Sequence, residues 1–334
     1  MYMNTPATIH TLAEIGQVAN SAHAQSVLFY NDQERAINTV QAYQRDLVTF
    51  SDFLAELGAT HGDLTRDPCA WAGVTHGLVA AFRQWLFSNG FAVATINRKL
   101  TAVKWYAKRA AQVGSIGADD QALIASVNGY TRKGAERAER DITRIGAKKD
   151  DWTRITRDQL NTIRQALPNT AQGRRDRVIL ALLANLGLRV SECIILTAES
   201  WTANAQRLAV YRPKTGTAQT FTLQGETLNA ITAYSGDIMQ GEKLLRASQK
   251  DGKLISGGMN RQAVFERVKK LGGLVGIDSL SPHDLRHYAI TQLAERERRG
   301  EIGINDIVDF GGWKSPAMAF RYAERAKVIT LAAD

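Results

Sequence analysis

Ser281-Pro282-His283-Asp284-Leu285-Arg286-His287-Tyr288-Ala289-Ile290 sets two histidines around an arginine at the mouth of a helix. Ser281 is a favoured N-cap and Pro282 a favoured first helical residue, so the helix starts here. His283, Arg286 and His287 then fall at i, i+3 and i+4, on one face of its first turns. Leu285 and Ala289 point to the core instead. Unpaired backbone N–H groups and the positive end of the helix dipole favour an anion at such a terminus. An arginine fork and an imidazole on the same face suit a phosphate. The chain has six histidines, and the other four (His10, His23, His61, His76) lie in its first quarter. Satisfied surface histidines would read the same way, so the stretch needs support from elsewhere in the chain.

The bulk numbers narrow the field. A chain of 334 residues is long enough for two domains. With 44% hydrophobic and 22% charged residues it can bury an ordinary globular core. A formal net charge of +9 favours a polyanionic partner, either nucleic acid or an anionic membrane. The longest apolar run, Val178 to Leu188, contains Asn185 and falls far short of the roughly 20 residues of a membrane span. The start, Met1-Tyr2-Met3-Asn4-Thr5, lacks the basic-then-apolar form of a secretory signal. The expectation is a cytoplasmic protein with no membrane partner. Two cysteines, Cys69 and Cys193, give neither a disulfide framework nor metal-ligand spacing and read as small buried apolar residues.

Along the chain, residues 1–24 are weakly patterned and read as a flexible arm. Residues 25–130 read as an all-helical domain. Apolar residues recur at helical spacing from Asn38 to Leu57 and stop at Gly58; further helices fit Leu78 to Ser88 and Thr95 to about Ala111. The last of these carries Arg98, Lys99, Lys104, Lys108 and Arg109 on its other face, which suits either solvent or DNA phosphates. Residues 131–155 read as a basic interdomain linker, with Arg132 and Lys133 the first of its charges. A second domain spans 156–334. Its helices are expected at Arg157 to Ala166 (capped by Thr156), Arg174 to Leu186, Glu226 to Ser235, Asn260 to Leu271, Pro282 to Arg298, Asn305 to Phe310 and from Pro316 on. Strands 208–211 and 220–223 flank a turn region with Pro213 and Gly216.

Three more pieces join the opening stretch. In Gly187-Leu188-Arg189-Val190-Ser191-Glu192 an arginine follows a helix stop, with a carboxylate three residues on. An ion pair holding two helices would explain that equally well. Lys214 sits at the turn between the two strands, where a hairpin tip can reach a ligand. In Gly311-Gly312-Trp313-Lys314-Ser315-Pro316 a glycine helix stop precedes a new Ser-Pro helix start, and Tyr322 lies about two turns into the helix that follows.

In this order and spacing the motifs resemble the tyrosine recombinases, or phage-type integrases. Arg189 looks like the family's first arginine, Lys214 like its β-hairpin lysine, and His283 with Arg286 like its His-x-x-Arg box. Trp313 stands at the usual His-or-Trp position, in the form of the Cre-type branch, and Tyr322 follows nine residues later where the family has its nucleophile. Thr95-Ile96-Asn97-Arg98-Lys99-Leu100 is similar to the family's core-binding domain.

The resemblance implies a mainly α fold with a small β-hairpin, as a two-domain C-shaped clamp on double-stranded DNA carrying a specific recombination site. It implies a site-specific recombinase of the simple Cre or Xer kind, without an arm-binding domain, acting as a homotetramer on two paired sites. Strand cleavage would pass through a 3′-phosphotyrosyl intermediate and a Holliday junction, with no metal and no cofactor. Tyr322 would attack, Arg189 and Arg286 would hold the phosphate oxygens, Lys214 would protonate the leaving oxygen, and His283 and Trp313 would assist. Glu192 and His287 would orient the arginine and the histidine. Arg98, Lys99, Lys104, Lys108, Arg132 and Lys133 would contact DNA, placing the protein on the nucleoid. With twelve residues after Tyr322, docking of Val328, Ile329 and Leu331 on a neighbouring subunit stays open. Open alternatives are an inactive DNA-binding protein of the same fold and a type IB topoisomerase. Tyr288 is the rival nucleophile, although it falls off the face shared by His283 and Arg286.

Overall fold

The structure is a computed structural model that describes residues 11–12, 37–131, 152–249 and 251–325. The expected arm, most of the linker with Arg132 and Lys133, and the tail positions Val328, Ile329 and Leu331 lie outside the described residues. The chain divides into two compact units, 1–148 and 149–334, each with its own core.

In the first unit, α1 (Ile37–Glu56), α2 (His76–Ser88) and α3 (Val93–Gln112) start and end within about two residues of where the apolar periodicity places them. Thr75 caps α2 by accepting from the Leu78 amide. Their inner faces bury Phe50, Phe82, Trp71 and Tyr106, with the Phe50 and Phe82 rings edge to face at 4.9 Å. A short helix α4 (Ala118–Ser126) was not expected; it buries only Ile124 and so leaves little periodic signal.

The basic face of α3 needs a correction. Lys99 is buried, not solvent-facing: its ammonium sits 3.2 Å from the buried carboxylate of Asp46 and donates to Thr49 at 2.6 Å. Arg98 pairs with the same carboxylate at 2.5 Å while staying half exposed. Lys104 donates to the Ala125 carbonyl, and Arg109 lies over the Trp105 ring at 3.6 Å. Lys108 is exposed. Asp46, on the neighbouring helix, is what draws Lys99 inward, and spacing along α3 alone does not register it.

In the second unit a capping box between Thr156 and Gln159 starts α5 (Arg157–Ala166). Helix α6 (Ala171–Leu180) begins three residues before the expected Arg174, because Thr170 caps it by accepting from the Gly173 amide. Its polar residues Arg175 and Asp176 are buried; Asp176 pairs with Arg175 at 3.0 Å and with Arg267. After Leu180 the helix widens into a π turn, Ala181–Asn185, and stops at Gly187, whose φ is +58°. A side chain at Gly187 would be strained, and its Cβ would meet the Phe310 ring at 2.8 Å.

The short helix α7 (Val190–Cys193) follows. Strands β1 (Trp201–Thr202), β2 (Arg207–Arg212) and β3 (Thr217–Thr222) then form an antiparallel sheet in the order β1-β2-β3. Leu208 opposes Phe221 and Arg212 opposes Thr217, which shortens the turn to 213–216. Helices α8 (Gly225–Ser235) and α9 (Arg261–Gly273) bracket a second hairpin, β4 (Arg246–Ser248) with β5 (Leu254–Gly258), which was not expected. The unit ends with α10 (Pro282–Arg298), α11 (Ile304–Gly311) and α12 (Ala317–Arg325). The fold is thus mainly α with small sheets. Among the described residues no helix is long and apolar enough to cross a membrane.

Removing Asp46 leaves Lys99 buried without its counter-charge. Asp46→Ala should therefore destabilise the first unit by about 3 kcal/mol, read from urea unfolding, while Asp46→Ala with Lys99→Met should recover part of that loss.

Candidate active site

Glu192 is the centre of the arrangement. It is buried, and its carboxylate meets two guanidinium groups: Arg189 at 2.7 Å and Arg212 at 3.2 Å. It also accepts from the Arg189 backbone N–H at 2.8 Å, capping α7. One carboxylate therefore fixes both the backbone and the side chain of Arg189.

Arg286 enters from α10. The sequence places it with His283 on an outward face, but only His283 is exposed; Arg286 is buried. It donates to the Gly187 carbonyl and to the Gly311 carbonyl, the latter at 2.8 Å. Its guanidinium lies 5.6 Å from the Trp313 ring centroid. Those two carbonyls end α6 with its π turn and α11, so the negative ends of two helices draw the cation inward. Burial, and then the like charge of Arg189, bring the Arg286 pKa down from the ordinary guanidinium range to about 10. An anion arriving beside it offsets that desolvation.

Asp284 holds the start of α10. It closes a capping box with Ser281 and accepts from the Thr153 amide at 2.9 Å. The chain entering this unit is thereby pinned to the helix, and Trp152 stacks on His287 at 5.4 Å. His287 meets His283 edge to face at 4.4 Å and lies 5.1 Å from the Tyr322 ring. Tyr322 is mostly buried and stacks on Trp313 at 5.7 Å. A cleft of about 310 Å³ opens beside this group, lined by Arg189, Ser191, Arg261, His283 and Arg286 among others.

The structure thus brings Arg189, Glu192, His283, Arg286, His287, Trp313 and Tyr322 together. Lys214 is exposed at the tip of the β2–β3 hairpin, outside the buried cluster. Tyr288 is half-buried against the main core. Its pKa is raised by burial, and its cationic neighbours are Arg164 and Arg157. A larger cavity of about 440 Å³ is lined by Arg164, Arg174 and Arg177, already engaged by Glu226, Asp237 and backbone carbonyls.

Residues 153–328 match the model of the phage integrase family, and residues 29–113 match its N-terminal SAM-like domain. The chain belongs to the phage integrase family. Tyrosine recombinase XerC of Roseiflexus castenholzii is 26% identical over 262 residues, covering 77% of this chain and 74% of that protein. Tyrosine recombinase XerD of Vibrio cholerae is 25% identical over 264 residues, covering 77% of each. Among solved structures, a lambda integrase dimer bound to a COC' core site superposes with a TM-score of 0.60 at 14% identity, over 98% of this chain and 85% of that one. XerH bound to a palindromic difH substrate gives 0.57 at 14% identity, over 95% and 82%. The fold of this phage integrase relative is therefore an N-terminal SAM-like domain followed by a phage integrase domain, and the protein is an enzyme of the tyrosine recombinase class.

Three contributors to this integrase site escaped the sequence reading. Arg212 occupies a core-facing position of β2, in phase with buried Leu208 and Val210, and that phase was its signal. Trp152 lies at the end of a polar stretch that gives no periodic cue. Arg261, the first residue of α9, reaches the cleft from a separate element.

Replacing Glu192 by glutamine leaves two arginines sharing a neutral amide. Glu192→Gln should lower stability by roughly 2–3 kcal/mol in denaturant unfolding. It should also reduce binding of a phosphate analogue such as tungstate, read by calorimetry.

Proposed function

We propose that this protein is a site-specific DNA recombinase that cuts and rejoins strands through a 3′-phosphotyrosyl intermediate, with Tyr322 as nucleophile. The observation that carries the reading is the cleft itself. Three guanidinium groups (Arg189, Arg261, Arg286) and the His283 imidazole line it, and the Tyr322 ring packs on Trp313 and on His287, which in turn meets His283.

The chemistry follows from the groups. Tyr322 Oη attacks the phosphorus of the scissile phosphodiester while His283 takes up its proton. Charge on the non-bridging oxygens of the pentavalent state is met by the forks of Arg189 and Arg286, with the Trp313 indole N–H as a neutral donor. The bond from phosphorus to the 5′ oxygen breaks, and that oxygen leaves with a proton from Lys214. In the reverse direction a 5′ hydroxyl from the partner duplex attacks the phosphotyrosine and releases Tyr322. The number of phosphoester bonds is unchanged, so no nucleotide cofactor is consumed.

Lys214 stands exposed at the hairpin tip, where an ammonium can meet the leaving oxygen of a bound duplex. On the core-binding domain, Arg98, Lys104 and Lys108 stay in the role of phosphate contacts, while Lys99 drops out as the partner of Asp46. By family, two strand exchanges on paired sites would run in a homotetramer through a Holliday junction.

A suicide substrate, nicked so that the cleaved end diffuses away, tests this. Wild type should give a covalent protein–DNA band on a denaturing gel, and Tyr322→Phe should give none. A band that persists in Tyr322→Phe moves the nucleophile elsewhere, and tight binding without any band points to a DNA-binding protein that has lost the chemistry.

A further inference from the structure

We propose that Arg212 is a positioning residue that locks the hairpin of Lys214 to the turn of Trp313, so that the place of the leaving-group acid is set by this one side chain. The proposal rests on the reading of Lys214 as the leaving-group acid.

Arg212 is 1% exposed and points into the site from the end of β2. Its guanidinium reaches three elements at once. It meets the Glu192 carboxylate at 3.2 Å and the Gln219 side-chain oxygen on β3 at 2.9 Å. It also donates to the carbonyls of Phe310 and Gly311, at 2.8 and 3.4 Å. The last carbonyls of α11 have no partners within their helix, and Arg212 supplies them. Gln219 adds a bond to the Asp309 carbonyl at 3.1 Å. The C-terminus of α11 is thus gripped from the hairpin, one turn before Trp313.

Gly312 completes the grip. Its φ of +59° turns the chain out of α11, and a Cβ there would collide with the Arg212 guanidinium. On the other side, the turn bearing Lys214 closes on the Arg212 carbonyl, which accepts from the Thr215 and Gly216 amides at 3.1 and 2.9 Å. Lys214 is therefore two residues from a fixed point and inside a turn anchored on it. An apolar side chain of similar size would fill the space without burying a cation. What it would lose is the fork that joins hairpin, Glu192 and α11.

The discriminating test uses the leaving group. DNA with sulfur in place of the bridging 5′ oxygen expels a thiolate, which, thiols being far stronger acids than alcohols (a cysteine thiol ionises at about 8.5), needs no proton donor. Single-turnover cleavage of ordinary and sulfur-bridged DNA is compared in wild type, Lys214→Ala, Arg212→Met, Arg212→Lys and Arg189→Ala. Arg212→Met is expected to slow at least roughly 100-fold on ordinary DNA and to come within about 10-fold of wild type on sulfur-bridged DNA, like Lys214→Ala. Arg212→Lys, which keeps the charge but not the fork, should fall between, and Arg189→Ala should stay slow on both. Should Arg212→Met fail to fold, Gln219→Leu removes one anchor of the same fork and should show a smaller loss with the same rescue.

Equal slowing on both substrates in a folded Arg212 variant, with Lys214→Ala rescued, overturns the proposal and leaves the acid assignment standing. Wild-type rates in Arg212→Met overturn it as well. If Lys214→Ala is not rescued by sulfur, the assignment of the acid fails and the proposal falls with it.

Discussion

The Glu192 carboxylate, buried between Arg189 and Arg212, is the contact on which the catalytic unit depends. A buried carboxylate is costly unless its charge is met and its lone pairs are used. Here both conditions hold, and each bond has a structural effect. The bonds to Arg189 fix the start of α7 and aim a guanidinium at the cleft. The bond to Arg212 ties that start to the hairpin. Three cations, Arg189, Arg212 and Arg286, gather around one anion, so the site keeps a positive excess. That excess is suited to a phosphodiester, whose negative charge would supply the missing counter-ion.

Helix ends do the rest of the positioning. The Gly187 carbonyl and the Gly311 carbonyl both accept from Arg286, and both belong to segments that must turn sharply. Gly187 and Gly312 each take a positive φ, and each lies too close to a neighbour to carry a side chain. The glycines in Gly-Leu-Arg and Gly-Gly-Trp are thus part of how the arginines are seated. The π turn ahead of Gly187 belongs to the same arrangement, because it shifts the chain register just before the first arginine.

Much of this was legible in the sequence. Ser281-Pro282 gave the start of α10, and the glycine stops gave the ends of α6 and α11. The ordered motifs named most of the residues that gather in one cluster, with Lys214 standing outside it. What was hidden has a common cause: buried charge. Lys99 and Arg286 read as polar and therefore as outward-facing, and nothing in their own segments marked Arg175, Asp176 or Arg212 as buried charges; each is buried because a partner elsewhere in the chain meets it. Single-segment periodicity assigns a face by hydrophobicity and does not register an ion pair that spans dozens of residues. The β4–β5 hairpin was missed for a different reason: short, glycine-containing, partly exposed strands carry no alternating pattern.

The central claim is that the Tyr322 hydroxyl is the group that takes the phosphate. It is tested most directly by trapping the adduct on a suicide substrate, digesting it with trypsin and nuclease, and locating the nucleotide by tandem mass spectrometry. The account predicts the phosphate on the tryptic peptide that begins at Tyr322, which follows Arg321. Phosphate found on the peptide containing Tyr288, or on a serine, would contradict it.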